Sequence, residues 1–348
     1  MEGFYYKFTK PNKLIASFDL DNTLIKTKSG KIFPINSNDY TYSFDNVDKK
    51  IKNLIKDGYK IVIFTNQNGI QRGKTKLTDI TNKIEKLFPT ADYFISIKDD
   101  LYRKPMIGMY DKFIELNGKV NKMFYVGDAS GRDNDHSYSD INFAYNAGIT
   151  FYTETEYFLG KKDNVKHYCP TYNGNTNNIS DLKKYDRNTI IIMQGYPASG
   201  KSTLIHDYIN YYKIQDENYL HLSNDTHTKS KIKKEFKNGI EKNKLIFIDN
   251  LNATKKNRKD IFDLLNINNN YKVIGIHILT RMEISKALNK QRYYISNMKE
   301  NYKGKIYGKI PNVAYNVFNK KYEKMTIDEG FYKLYEYTPD IKLKYCFI

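Results

Sequence analysis

Two three-layer α/β domains with mostly parallel sheets are predicted for this chain of 348 residues. Three observations predict them. The chain is longer than one ordinary domain. Short apolar runs, Ile15–Phe18, Lys60–Phe64, Met123–Val126, Ile190–Met193, Leu245–Ile248 and Lys272–Leu279, alternate with stretches of helical periodicity, the pattern of buried parallel strands joined by crossover helices. Between the two groups of runs the composition changes to an Asn- and Gly-rich segment without periodicity, Gly160–Asn164 and Thr171–Asn178. The domains are therefore placed at residues 1–165 and 188–348, with 166–187 as a linker. No repeat of about 20–50 residues is visible.

Charge narrows the function. Lys and Arg number 57 against 39 Asp and Glu, a net charge of +18 and a pI near 9.4. Residues 1–180 carry +5 and residues 181–348 carry +13. A polyanionic partner, nucleic acid above all, is the natural reading, with a solvated Lys-rich surface as the plain alternative. Two cysteines, Cys169 and Cys346, supply neither a disulfide framework nor a zinc site and suit a reducing compartment. No signal-peptide core and no membrane-length apolar run appear. The expected location is intracellular, cytoplasmic or nuclear, and not secreted.

In the first half, Ile15–Phe18 reads as a buried strand that delivers Asp19-Leu20-Asp21-Asn22-Thr23 at its C-terminal end, the ligand edge of a parallel sheet. Period-2 alternation would put Asp19 and Asp21 on one side. Two such carboxylates suit a phosphatase, one attacking phosphorus and the other exchanging protons with the leaving oxygen and water. A Ca²⁺ loop is excluded by Leu24 at its sixth position. The next strand ends at Thr65-Asn66-Gln67, where Thr65 could hold a phosphoryl oxygen. Lys104 could neutralise the attacked phosphate. A later strand delivers Asp128, and Asp140 follows; with Asp19 and Asp21 they are candidate Mg²⁺ ligands. About twenty residues separate Leu24 from the amphipathic stretch Asp48–Lys56, too few for a folded cap, so the site is expected to be uncapped and open to a polymer end.

The second half opens on Ile190–Met193 followed by Gly195-Tyr196-Pro197-Ala198-Ser199-Gly200-Lys201-Ser202-Thr203 and a helical pattern. A strand, then G-x-x-x-x-G-K-S, then a helix is a P-loop in its required setting. Gly195, Gly200, Lys201, Ser202 and Thr203 are candidate ATP contacts, and Ser202 with Asp249 at the end of Leu245–Ile248 are candidate Mg²⁺ ligands. Asp225, after the strand Tyr219–Leu222, stands where a base for an incoming hydroxyl belongs. Arg281 and Arg292 flank a helical segment, and arginines there could close over the ATP phosphates as a lid.

These stretches resemble known families. Phe18-Asp19-Leu20-Asp21-Asn22-Thr23, Ser29-Gly30-Lys31-Ile32-Phe33-Pro34, Ile63–Gln67, Tyr102-Arg103-Lys104-Pro105 and Val126–Arg132 resemble the haloacid-dehalogenase-like phosphatases, and within them the phosphatase domain of polynucleotide 5′-kinase/3′-phosphatases. The P-loop run, Asp225-Thr226, Ile248–Asn252, Ile310-Pro311 and Asp328–Phe331 resemble the kinase domain of the same family. The chain departs from its pattern at Asn22, where Gly is usual and Asn is tolerated in left-handed backbone, and at Asn224, where an arginine is usual. The resemblance implies an uncapped Rossmann-type domain followed by a P-loop kinase domain. It implies removal of 3′-phosphates through a phospho-Asp19 intermediate and ATP-dependent phosphorylation of 5′-hydroxyls, in strand-break repair. The implied partners are nucleic-acid ends, DNA ahead of RNA, and a ligase acting downstream; no phosphopeptide-binding module and no membrane are expected. A kinase/phosphatase of free nucleotides or other small metabolites is the alternative.

Overall fold

A computed structural model describes residues 3–165, 167–170, 176–265, 270–298 and 303–347. The elements run β1 (Phe4–Lys7), β2 (Leu14–Phe18), β3 (Ile25–Lys26), β4 (Thr41–Tyr42), α1 (Val47–Lys56), β5 (Lys60–Asn66), α2 (Asn68–Gln71), α3 (Leu77–Leu87), β6 (Asp92–Ser96), α4 (Gly108–Asn117), β7 (Lys122–Gly127), α5 (Ser139–Ala147) and β8 (Thr150–Thr153). Then follow β9 (Thr189–Gln194), α6 (Lys201–Tyr211), β10 (Tyr219–Leu222), α7 (Lys229–Glu241), β11 (Leu245–Ile248), α8 (Lys255–Phe262), β12 (Lys272–Ile278), α9 (Met282–Met298), α10 (Asn312–Lys321) and β13 (Lys333–Tyr337). The chain forms two compact units. One comprises residues 1–169, 294–306 and 345–348, the other residues 170–293 and 307–344. Of the segment read as a linker, residues 166 and 171–175 lie outside the described residues. Leu182 is buried in a core of the second unit.

The first unit holds a six-stranded sheet in the order β1-β6-β5-β2-β7-β8, parallel except for β1 against β6. Its strands are near-continuous apolar runs because both faces are covered. Ala16, Phe18, Ile61, Ile63, Ile95 and Val126 pack with Val47 and Ile51 of α1 and Ile80 and Ile84 of α3. The alternate residues Phe64 and Tyr125 meet Phe113 of α4 and Phe143 of α5 on the other face. β2 has β5 on one side and β7 on the other, so its C-terminal end is the switch point where crossovers part and ligands bind. Among the described residues between Leu24 and α1, only the two-residue strands β3 and β4 are regular.

The second unit holds a five-stranded, all-parallel sheet in the order β10-β11-β9-β12-β13. Ile191 and Met193 of β9 face Leu204, Ile205, Tyr208 and Ile209 of α6. Ile190 and Ile192 face the opposite layer with Phe236 of α7 and Ile261 and Phe262 of α8. This is the three-layer arrangement expected from the apolar runs. Here β9, between β11 and β12, ends at the switch point, and the glycine-rich turn follows it. No helix among the described residues is long and apolar enough to cross a membrane.

Candidate active sites

At the end of β2 the backbone N–H of Asp19 donates to Val126 O (2.8 Å), which pins the residue to β7 just after β2 stops. Its carboxylate meets the side chain of Lys104, which is 3% exposed. Lys104 Nζ donates to Asp19 Oδ1 (2.5 Å), Asp140 Oδ1 (2.7 Å) and the Tyr125 hydroxyl (2.7 Å). Burial pushes Lys104 down, but Asp140 and Asp19 outweigh it and its pKa is raised. Burial also carries Asp19 well above the usual carboxylate range, with Asp140, Asp128 and Asp21 adding to it and Lys104 opposing. Asp128 is pushed up to about 7, by burial first and then by Asp140.

Carboxylate oxygens of Asp19, Asp128 and Asp140 all lie within 4.8 Å of one another. An all-oxygen set of two buried carboxylates and one half-buried one, mutually repelling, fits a hard dication such as Mg²⁺, whose charge would relieve that repulsion. Asp140 is steadied by Ala129 N, which donates to its Oδ2 (3.0 Å). Asp128 is faced by Thr23 Oγ1 (3.3 Å) and Asn22 Nδ2 (3.5 Å). Asn22 does stand in left-handed backbone, at φ 60°.

Asp21 is not one of these three mutually close carboxylates, although its charge reaches Asp19. Extended backbone ends at Phe18, so alternation no longer governs the side chains beyond it. The chain turns and Asp21 emerges exposed. Its Oδ2 accepts from Gln67 Nε2 (2.6 Å), which also donates to Thr65 Oγ1 (3.0 Å). Gln67 thus links the exposed Asp21 to the buried Thr65, while Asp19 is buried with Lys104.

In the second unit Gly195 has no room for a side chain: a Cβ there would lie 2.8 Å from Ser199 Oγ. Gly200, at φ 97°, turns the chain into α6. Lys201 Nζ donates to Gly195 O (3.0 Å) and Tyr196 O (2.6 Å), lying across the turn that α6 grows from. Burial lowers Lys201 to about 8, although Asp249 and Asp225 hold it up. Ser202 Oγ donates to Asp249 Oδ2 (2.5 Å), joining the two candidate metal ligands, and Thr203 is exposed beside them. Asp225 is exposed in the turn after β10, its N–H donating to Ser223 Oγ (3.2 Å).

Arg292 differs from expectation. It lies inside α9 rather than at a helix end, because the helix runs on to Met298. Its guanidinium stands over the Tyr307 ring at 4.7 Å, and its Nε is buried without a hydrogen-bond partner. Arg281, just before α9, pairs with Glu283 (3.0 Å).

The family described as polynucleotide kinase 3 phosphatase matches residues 14–158. A "bifunctional polynucleotide phosphatase/kinase" of Schizosaccharomyces pombe is 34% identical over 341 residues, covering 94% of this chain and 80% of that protein. The chain belongs to the bifunctional polynucleotide phosphatase/kinase family. A "polynucleotide 3′-phosphatase" of Arabidopsis thaliana is 37% identical over 168 residues, 42% of this chain and 24% of that protein.

Within this member of the bifunctional phosphatase/kinase family, three further side chains join the sites. The Tyr125 hydroxyl accepts from Lys104 and donates to Asp140 Oδ1 (2.8 Å). In the sequence it reads as one more ring of a buried strand. Gln67 bridges Asp21 and Thr65, and only its place in a matched motif hinted at it. His221 Nε2 lies 3.0 Å from Asp249 Oδ2, and with Ser202 it holds the Asp249 carboxyl below its usual range against the effect of burial. No spacing between His221 and Asp249 announces that contact.

Proposed function

We propose that the first unit strips 3′-phosphates from nucleic-acid strands and the second transfers phosphate from ATP to 5′-hydroxyl ends, leaving termini that a ligase can join. The observation that carries this reading is Lys104 Nζ at 2.5 Å from Asp19 inside a carboxylate trio, in a chain that also carries a complete phosphate-binding turn.

In the phosphatase half, Asp19 attacks phosphorus, its carboxylate forming a bond to phosphorus as the bond to the 3′ oxygen breaks. Lys104 offsets the charge that builds on the phosphoryl oxygens, and Thr65 holds one of them. Asp21 protonates the leaving oxygen and later takes a proton from the water that cleaves phospho-Asp19. One carboxylate buried beside a cation and one exposed are suited to these two roles. Asp19, Asp128 and Asp140 would hold Mg²⁺, which supplies Lewis-acid stabilisation of the same charge. In the kinase half, Asp225 removes the proton of the 5′-hydroxyl as its oxygen attacks the γ-phosphorus and the bond from that phosphorus to the β–γ bridging oxygen breaks, releasing ADP. Gly195, Gly200, Lys201 and Thr203 bind the ATP phosphates, Ser202 and Asp249 would hold its Mg²⁺, and Arg292 neutralises transferred charge.

The reading is tested by comparing kcat/KM on an oligonucleotide 3′-phosphate with that on a 3′-mononucleotide, and likewise for 5′-hydroxyl acceptors with ATP and Mg²⁺. Preference for the longer substrates is expected in both assays. Equal efficiency would turn the assignment toward free nucleotides.

Tyr125→Phe removes one hydroxyl and the two hydrogen bonds it shares with Lys104 and Asp140. The ring keeps its packing on Phe143 (5.1 Å) while the bridge from Lys104 to Asp140 is lost. A bond to a charged group contributes about 1.5 kcal/mol, so kcat for 3′-phosphate release should fall about tenfold with the kinase unaffected. Unchanged kcat would show that Lys104 is held by its carboxylates alone.

A further inference from the structure

One half-buried charge cluster beside the phosphatase site takes no part in the chemistry above. Arg132 follows Gly131, whose φ of 80° folds the chain back; a Cβ at Gly131 would lie 1.9 Å from the Tyr138 ring. From there the guanidinium reaches four residues, two in the loop after β7 and two after β8. Nη2 donates to Asp128 O (2.9 Å) and Glu154 Oε2 (3.0 Å), Nη1 to Asp163 Oδ2 (2.9 Å), and Nε to Asp135 Oδ2 (3.0 Å). Asp135 Oδ2 in turn accepts from Ser130 N (2.9 Å) and Ser130 Oγ (2.8 Å). Asp163 is also bonded by Thr153 Oγ1 (2.6 Å), so the segment after β8 is tied to the loop after β7.

Asp128 is the member of the carboxylate trio with the weakest direct support. Its side-chain contacts, from Thr23 and Asn22, are 3.3 and 3.5 Å long. Its carboxylate therefore goes where its backbone puts it. That backbone is fixed by the Arg132 bond to Asp128 O and a local one from Ser130 N (2.9 Å).

We infer that Arg132 is a positioning residue for divalent-metal binding: it fixes the Asp128 backbone so that the third carboxylate converges on the other two. The inference rests on the reading of Asp19, Asp128 and Asp140 as a Mg²⁺ site. Groups that orient ligands from behind typically account for about 10–100-fold in metal affinity. The sign separates positioning from a field effect. Removing a cation close to Asp128 would by charge alone tighten Mg²⁺ binding, whereas loss of positioning weakens it.

The test is calorimetric titration of Mg²⁺ into the full, metal-stripped chain, with Mn²⁺ electron paramagnetic resonance as a second readout. Heat that Asp128→Asn abolishes is assigned to the trio. Arg132→Gln should weaken that binding about 10–100-fold. Arg132→Lys keeps the charge but lacks the planar fork that reaches four residues, and should recover only part of the loss. Raising Mg²⁺ should restore kcat for 3′-phosphate release in both variants, and KM for the strand should not move. Should Arg132→Gln fail to fold, Arg132→Lys decides. Parent-like or tighter Mg²⁺ binding in a folded variant overturns the inference while leaving the metal site standing. A parent chain with no Asp128-dependent heat would overturn the Mg²⁺ reading and this inference with it.

Discussion

Asp19→Asn is expected to lower 3′-phosphatase turnover by about 10⁴-fold or more while 5′-phosphorylation stays within about twofold of the parent. An amide has no oxygen nucleophile to give phosphorus, so the covalent route closes rather than slows. The fold should tolerate the change. Asp19 is 7% exposed, and burial together with Asp140, Asp128 and Asp21 disfavours its charge, so neutralising it relieves repulsion. Lys104 loses one partner but keeps Asp140 Oδ1 and the Tyr125 hydroxyl. Release of phosphate from a 3′-phosphorylated oligonucleotide, measured beside transfer from labelled ATP to a 5′-hydroxyl oligonucleotide, reads both halves in one preparation. Phosphatase activity above about one part in a hundred would mean that Asp19 is not the nucleophile. Loss of both activities in a folded variant would mean that the chain does not house two separate sites.

What could be read from the sequence follows from where each constraint is local. A parallel sheet covered on both faces must be apolar along whole strands, so Ile15–Phe18 and Ile190–Met193 stand out, and the polar residues just after them fall at the ligand edge. That is why Asp19, Thr65, Asp128 and the Lys201 turn could be named from strand ends alone. Alternation says nothing of the exposure of Asp21, because it holds only while the backbone is extended, and the chain turns after Phe18. Arg292 was placed at a helix end because nothing in the pattern of Met282–Met298 marks where the helix stops. Tyr125 was missed for a different reason: as a strand ring it satisfies the core pattern, and only the arrival of Lys104 and Asp140 gives its hydroxyl a role. Contacts between residues far apart in the chain, such as His221 with Asp249 or Arg132 with Glu154 and Asp163, carry no periodic signature at all. The same holds for residues 294–306 and 345–348, which group with the first unit across a long sequence gap.

Lys201→Ala should reverse the first result, cutting 5′-phosphorylation by about 10³-fold or more with 3′-dephosphorylation unchanged. The size follows from what the ammonium does. It is the buried cation at the root of α6, and its carbonyl contacts to Gly195 and Tyr196 hold it across the turn. Charge moving from the γ-phosphate to the bridging oxygen develops in front of it, so its removal acts more on kcat than on ATP binding, which the turn still supports. Alanine is a better helix former than lysine, so α6 should persist. The buried Lys201 is lowered to about 8 by its surroundings, so discarding it also removes a desolvation cost and should not unfold the unit. Titration of ATP with and without an acceptor oligonucleotide separates the two effects. A variant that loses ATP affinity in full but keeps kcat would show Lys201 to be a binding group only. One that retains both would show that transfer takes place elsewhere than at this turn.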